Sequence, residues 1–418
     1  MIKNRTAIIA LLTGLNLLNY IDRTIVAAVL RKMQMPEAQG GLGLSNTQAG
    51  FLATAFLLGY FLTSPLFGAR ADKGARKGLI ALGVAVWSLA TVATGFAPTF
   101  AWMIVARIVV GVGEASYATL APTIIDDLTP PENKGRALAI FYLAIPVGSA
   151  LGYVIGGQVA AVWGWRAAFY VAGGPGLLLA ITCLLIVEPH RKLREARGKI
   201  LDGLRTLAKL PLFRRATLGY CAYTAAIGAF AHWAPKFIAE QYAGEVTDQQ
   251  ASTYFGLVTV VAGAIATVLG GHWADRVQRR MPPMTEATSF DSRANKLGIN
   301  ALLRICAIGM LWAAPLTAAC FWAPTAWAFF AFAFLAELGV FLSTSPVNAI
   351  GLRAVPPELR ASAMAAMIFA IHLFGDLWSP TVLGYLNDLL VSSVAMMALP
   401  ITFALSAYVW WPRAREAE

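Results

Sequence analysis

The sequence predicts an all-α membrane protein of twelve transmembrane helices arranged as two pseudo-symmetric six-helix bundles. Three observations carry that expectation. The first is the solvent the chain prefers. Its 418 residues are 58% hydrophobic and only 13% charged, with a mean hydropathy of +0.63, where a water-soluble chain carries roughly 25% charged residues. The second is a recurrence of apolar stretches of about 20 residues, enough to cross the hydrocarbon core. The third is that two loop motifs each occur twice, at corresponding places in the two halves.

Taken in order, the first half yields spans at 7–30, 46–69, 78–98, 100–126, 137–162 and 167–187. The second half yields 213–239, 251–274, 298–320, 325–352, 361–387 and 391–411. A cleaved leader is short and stands alone. Here apolar stretches continue along the chain, so the first span is expected to be retained. Most links between spans are too short to fold independently. Two longer ones, 188–212 and 275–297, are charged.

The net charge of +11 is explained by the loops and not by a nucleic-acid partner. Placing the N-terminus in the cytoplasm puts 26 of the 33 Lys and Arg on the inner side, as the positive-inside rule requires. Only Arg31, Lys32, Arg166 and Lys236 fall outside, while Arg23, Arg107 and Arg304 stay within predicted spans. Both termini are therefore expected in the cytoplasm, in a cell membrane. Cys183, Cys221, Cys306 and Cys320 all lie in apolar spans without metal-ligand spacing. They read as packing residues, and no metal or cofactor is expected.

The repeat is visible in the inner loops. GARADKGARK at 68–77 and GHWADRVQRR at 271–280 both fit G-x-x-x-D-[KR]-x-x-R-[KR], 203 positions apart. PENKGRALA at 131–139 and PELRASAMA at 357–365 lie 226 apart, so extra residues must sit between the pairs, and 281–297 is an obvious place for most of them. The expected organisation is an N-terminal bundle at 1–190, a basic cytoplasmic linker at 191–211 and a C-terminal bundle at 212–418. Because six helices return the chain to the same side, the repeat is parallel, and a central site is expected between the halves near the midplane.

Ionisable groups in apolar spans are costly and mark a cavity or a partner. In the first span Asn16, Asn19, Asp22 and Arg23 share one broad face at 3.6 residues per turn. Arg107 and Glu114 share a face of the fourth, with Ser116 and Tyr117 adjoining. Glu337, Thr344 and Asn348 align in the tenth, and His372, Asp376 and Ser379 in the eleventh. The first half thus holds two acids and two bases able to neutralise one another. Asp22 and Arg23, about 100° apart around their helix, should look to different helices. The core of the second half holds two acids and one His without a fixed cation. A carboxyl group in low dielectric without a cation favours its protonated form, as a proton carrier requires. Of the aromatic side chains, Tyr117 is singled out because it lies near the Glu114 face. Gly148, Gly152 and Gly156, spaced by four, predict close packing of the fifth span on a partner.

The ten-residue loop motif resembles that of the major facilitator superfamily, whose fold it implies. The resemblance suggests a latch that closes the inner face, made by Gly68, Asp72 and Arg76 and again by Gly271, Asp275 and Arg279. NLLNYIDRTIVAAVL (16–30), GVGEASYATLAPTIIDDL (111–128), IFYLAIPVGSALGY (140–153) and HLFGDLWSP (372–380) resemble the spinster family of lysolipid and sphingolipid transporters. This implies alternating-access movement of a single-chain amphiphile such as a lysophospholipid or sphingosine 1-phosphate, with proton coupling as an added expectation. It points to Asp22, Arg23 and Glu114 as the functional polar core. Short tails and tight loops fit a bacterial member, acting as a monomer. The rival expectation is proton symport of a soluble organic anion.

An enzyme is not expected. G-x-S-x-G is absent and the four His are scattered. No G-x-x-x-x-G-K-[ST] loop is present, which argues against ATP-driven transport, and GVGEAS at 111–116 lies inside a span with Ser in place of the third Gly.

Overall fold

A computed structural model describes residues 2–71, 76–130, 133–188, 200–282 and 291–412. Among these, helices account for nearly all of the chain, and β pairing is confined to isolated bridges. The first half contains α1 (Arg5–Gln34), α2 (Asn46–Ala71), α3 (Arg76–Gly95), α4 (Phe100–Leu128), α5 (Lys134–Trp163) and α6 (Trp165–Leu184). A short amphipathic α7 (Ile200–Lys209) follows, within the region expected as a linker. The rest comprises α8 (Pro211–Gln241), α9 (Asp248–Gln278), α10 (Arg293–Phe321), α11 (Ala326–Leu342), α12 (Thr344–Arg353), α13 (Arg360–Ile371), α14 (Ser379–Leu389), α15 (Ser392–Met396) and α16 (Ala398–Trp410).

Among the described residues, ten helical stretches are long and apolar enough to cross a membrane. Two further helices complete the expected twelve. In α1 the apolar run is diluted by Asn16, Asn19, Asp22 and Arg23, and in α8 by residues such as Tyr220, Tyr223 and His232.

The last three expected spans are broken where the sequence reading drew them straight. The tenth divides at Ser343 into α11 and α12. Pro346 has no N–H to offer the carbonyl four residues back, that of Leu342. A Cβ built on Gly270 of α9 would lie 2.2 Å from that same oxygen, so only glycine admits so close an approach. The eleventh contains a π-helical turn at His372–Asp376 ahead of Pro380, and the twelfth divides into α15 and α16.

By contacts the chain forms two units. The first comprises 1–194 with 231–257 and 380–388; the second comprises 195–230, 258–379 and 389–418. In the first, α1 packs on α5, α2 on α4, and α3 on both α4 and α6. The expected glycine stripe of α5 makes the first of these contacts. A Cβ on Gly148, Gly152 or Gly156 would strike the Leu17 carbonyl oxygen at 2.6 Å, Thr24 Oγ1 at 2.0 Å or Ala28 Cβ at 2.8 Å. Also within this unit, Asp388 at the end of α14 caps α2. Its carboxylate accepts from the backbone N–H of Asn46 and Thr47 at 2.9 and 2.8 Å and from Thr47 Oγ1 at 2.6 Å. Arg31 pairs with Asp248 at 2.6 Å, and Thr54 and Thr381 share a hydroxyl hydrogen bond of 2.6 Å.

The internal repeat recurs in the packing. Gly83 of α3 and Gly113 of α4 face each other so closely that a Cβ on either would lie 2.6 Å from the other's carbonyl oxygen. Gly309 of α10 and Gly339 of α11 do the same at 2.5 Å. Thr99 and Thr325 cap α4 and α11 with their side chains. All three pairs are 226 positions apart (83 to 309, 113 to 339, 99 to 325), which places the extra residues of the second half between 280 and 309. Overpacking such a crossing costs about 1–3 kcal/mol or more. Gly113→Val should therefore lower the unfolding midpoint clearly in detergent, whereas Gly78→Ala, where a Cβ meets nothing within 4 Å, should leave it unchanged. Equal midpoints for the two variants would contradict the crossing.

Candidate functional site

In the first unit four ionisable side chains of α1 and α4 come together, three of them buried. Successive residues of α1 reach different neighbours, as their angular offset requires. Arg23 Nε donates to Glu114 Oε2 of α4 at 2.7 Å. Asp22 turns to α3 and α4: Thr91 Oγ1 donates to its Oδ2, and Arg107 Nη1 stands 3.7 Å from its Oδ1. Glu114 is fully buried and Asp22 and Arg107 nearly so, while the Arg23 side chain keeps 19% exposure. Arg23 is thus the one member of the quartet with an accessible edge.

That edge is framed by aromatic rings. The Arg23 guanidinium carbon lies 4.9 Å from the Tyr20 ring centre, 5.0 Å from that of Phe56 and 5.1 Å from that of Tyr60. Phe56 is shared, with the Arg107 guanidinium 5.0 Å from the same ring. Ring faces attract cations, so the cage holds Arg23 without spending its remaining N–H donors on a second carboxylate.

The quartet is incompletely satisfied. Asp22 Oδ1, Glu114 Oε1, and Nε and Nη1 of Arg107 are buried without a hydrogen bond, as is Nδ2 of Asn19. Buried polar atoms are ordinarily paired, and each exception asks for an explanation. Here two unpaired carboxylate oxygens and two unpaired guanidinium nitrogens belong to the same quartet.

Ser116 and Tyr117 reach α3 and α1 respectively. Ser116 Oγ donates to the Leu79 carbonyl at 2.7 Å, and the Tyr117 hydroxyl donates to the Leu12 carbonyl. Tyr117 is fully buried, edge-on to Trp87. Both hydroxyls are engaged in helix packing in this structure. Asn16 Nδ2 bonds the Phe141 carbonyl at 2.9 Å.

In the second unit, Glu337 of α11 is 4% exposed, accepts a 2.9 Å hydrogen bond from Thr259 Oγ1 of α9, and has a second oxygen without a partner. His372 and Asp376 meet across the π turn, with Nδ1 3.0 Å from both carboxylate oxygens. Ser379 begins the next helix, its buried hydroxyl without a hydrogen bond. Asn348 donates to the Thr344 carbonyl of its own helix and not toward Glu337. Among the described residues no group of three or more His, Cys, Asp and Glu could hold a metal ion, and all four cysteines are buried and outside any disulfide.

A model of the major facilitator superfamily matches residues 12–380. The chain is 35% identical over 406 residues to protein spinster homolog 1 of Bos taurus, covering 91% of this chain and 72% of that one. The chain belongs to the spinster family of the major facilitator superfamily. Spinster-family relatives include the probable sphingolipid transporter spinster homolog 2 of Arabidopsis thaliana, 33% identical over 94% of this chain and 84% of that one. Among solved structures, a bacterial homologue of the human lysosomal transporter Spinster, inward-facing and unoccupied, superposes with a TM-score of 0.83 at 21% identity. The match covers 98% of this chain and 97% of that one.

The latch positions of this spinster-family transporter are unevenly visible. Asp72 lies outside the described residues. Arg76 is 1% exposed and pairs with Asp127 and Glu188, each at 2.7 Å, tying α3 to the end of α4 and to the segment after α6. Asp275 and Arg279 form no ion pair among the described residues. A Cβ on Gly68 would lie 3.8 Å from Thr119, and one on Gly271 3.6 Å from Ser345, both ordinary contacts. The close approaches fall instead at Gly59 and Gly270. Sequence reasoning missed Phe56, Tyr60, Thr91 and Thr259. Phe56 and Tyr60 carry a usable signal, two aromatics four apart on one helix face. The two threonines carry none, because a lone Thr in an apolar span resembles any packing residue.

Proposed function

We propose that this spinster-type transporter moves a lysolipid or sphingolipid-like amphiphile by alternating access, with Arg23 receiving the anionic head group and protons entering through the acids of the core. The reading is supported above all by one observation: Arg23 is partly accessible, ringed by Tyr20, Phe56 and Tyr60, and held by a single carboxylate, Glu114. A phosphate that engages the exposed guanidinium edge competes with Glu114 for charge-assisted hydrogen bonds. Glu114 then takes up a proton or changes partner, with Asp22 and Arg107 beside it. The rings solvate the start of the acyl tail. Glu337, a buried acid without a cation among the described residues, serves as a second proton position.

In this reading the chain works as two six-helix bundles, 1–190 and 212–418, with both termini in the cytoplasm. The bundles rock about the central site, and the two copies of the loop motif bind the cytoplasmic face when it closes. Flux into liposomes carrying the purified protein tests the cargo. Labelled lysophospholipid should accumulate, and an imposed pH gradient should change the rate. Gradient-driven uptake of a sugar acid with no lysolipid movement would favour the organic-anion reading instead. Equilibration without accumulation would reject active transport.

The Asp388 cap on α2 and the Arg31–Asp248 pair act on this reading as closures of the outer side. Asp388→Ala should then expose the outer ends of these helices. A cysteine introduced at the fully buried Thr54 should react severalfold faster with a membrane-impermeant maleimide in the Asp388→Ala background than in the parent. Unchanged labelling would remove the closure role.

A further inference from the structure

Between the end of α9 and the beginning of α10, on the outer surface of the second unit, lies a cleft of about 590 Å³. Trp273, Arg276, Val277 and Arg280 line one wall; Leu297 and Ala301 line the other and lead to Arg304 and Ile308. The three arginines are exposed, and none forms an ion pair with a described residue. The apolar wall is open as well, with Trp273, Leu297 and Ile308 at 47, 49 and 45% exposure.

Arg304 is the residue that demands an explanation. It sits eleven residues into α10, roughly 16 Å along the helix at 1.5 Å per residue, inside a predicted span, yet it points outward. A guanidinium facing hydrocarbon is expensive unless it reaches water or an anion. No described carboxylate meets it. Arg276 and Arg280 extend the positive charge toward the membrane surface, and the first turns of α10 line the same cleft, adding the positive end of their dipole. Basic pockets between transmembrane helices are the form taken by sites for anionic lipid head groups, with aromatic and aliphatic walls for the chains.

We propose that this cleft binds an anionic phospholipid of the surrounding bilayer, its phosphate held by Arg276, Arg280 and Arg304 and its acyl chains lying on Leu297, Ala301 and Ile308. On the orientation proposed above the lipid belongs to the inner leaflet, but the binding itself does not depend on that orientation or on the transported cargo. A soluble phosphate is disfavoured as occupant, because Arg304 lies among apolar side chains that water-borne anions do not visit.

The test is lipid retention by the purified full-length protein, read by native mass spectrometry during titration with phosphatidylglycerol or phosphatidylcholine in detergent. The parent should retain phosphatidylglycerol at least tenfold more strongly than phosphatidylcholine, and inorganic phosphate should not displace it. The triple variant Arg276→Gln/Arg280→Gln/Arg304→Gln should lose that preference, while Lys3→Gln/Arg5→Gln, which removes positive charge elsewhere, should keep it. Ala301→Trp, which fills the cleft and leaves every charge in place, should also lower retention and guards against a triple variant that fails to fold. Retention unchanged in Ala301→Trp, equal loss in the Lys3/Arg5 variant, or displacement by inorganic phosphate would each overturn the proposal.

Discussion

Glu114→Gln lowers transport about ten- to a hundredfold in a protein that still folds. That range corresponds to one hydrogen bond to a charged group, worth about 1.5–3 kcal/mol. Gln keeps the shape of the side chain and can still accept from Arg23 Nε, but it cannot hold the guanidinium by charge or take up a proton. The contact to be lost is the 2.7 Å pair inside the aromatic cage. A purely structural pair behaves differently. Removing one partner of a buried pair strands the other, whereas neutralising both is often tolerated. The double variant Arg23→Gln/Glu114→Gln should therefore recover most of the stability lost in either single variant without recovering flux. Thermal unfolding and liposome flux on the same four proteins separate the two roles. Recovery of transport in the double variant would show that the pair only holds α1 to α4.

The largest stability effect is expected at the second pair. Asp22 and Arg107 are almost completely buried, 3.7 Å apart, with several polar atoms unsatisfied. Arg107→Gln leaves the Asp22 carboxylate in low dielectric with only the Thr91 hydroxyl on its outer oxygen. Breaking such a pair from one side costs about 3–5 kcal/mol. Equilibrium unfolding in mixed micelles should show a loss of that order for Arg107→Gln. Asp22→Asn in the same background should restore most of it, because the stranded charge is gone and Asn can still accept from Thr91. Additive losses in the double variant would mean that the two side chains are not coupled.

Much of this was legible in the residues. Composition and span length predict a helical membrane bundle, and the duplicated loops predict two related halves. Spacing alone places Arg107 and Glu114 on one face of α4 and sends Asp22 and Arg23 to different neighbours. Other features were hidden for physical reasons. The breaks at Ser343 and at His372–Asp376 depend on prolines several residues downstream, whose missing N–H acts at a distance along the chain. The cage around Arg23 needs α2 beside α1, a tertiary fact that periodicity does not encode. The contacts of Tyr117 were hidden too: its hydroxyl is bonded to the Leu12 carbonyl and its ring stands edge-on to Trp87, partners that its place near Glu114 does not reveal. The exposure of Arg304 was equally invisible, since an arginine in an apolar span reads the same whether it is buried or exposed.

The central claim is that Arg23 in its aromatic cage receives the anionic head group of the cargo. A lysophospholipid with a photoreactive group at its head tests this most directly, by crosslinking in reconstituted membranes and peptide mapping of the label. Label should fall on α1 and α2 around Tyr20, Phe56 and Tyr60 and should disappear in Arg23→Gln. Undiminished label at the same residues in Arg23→Gln, or label confined to helices remote from the cage, would contradict it.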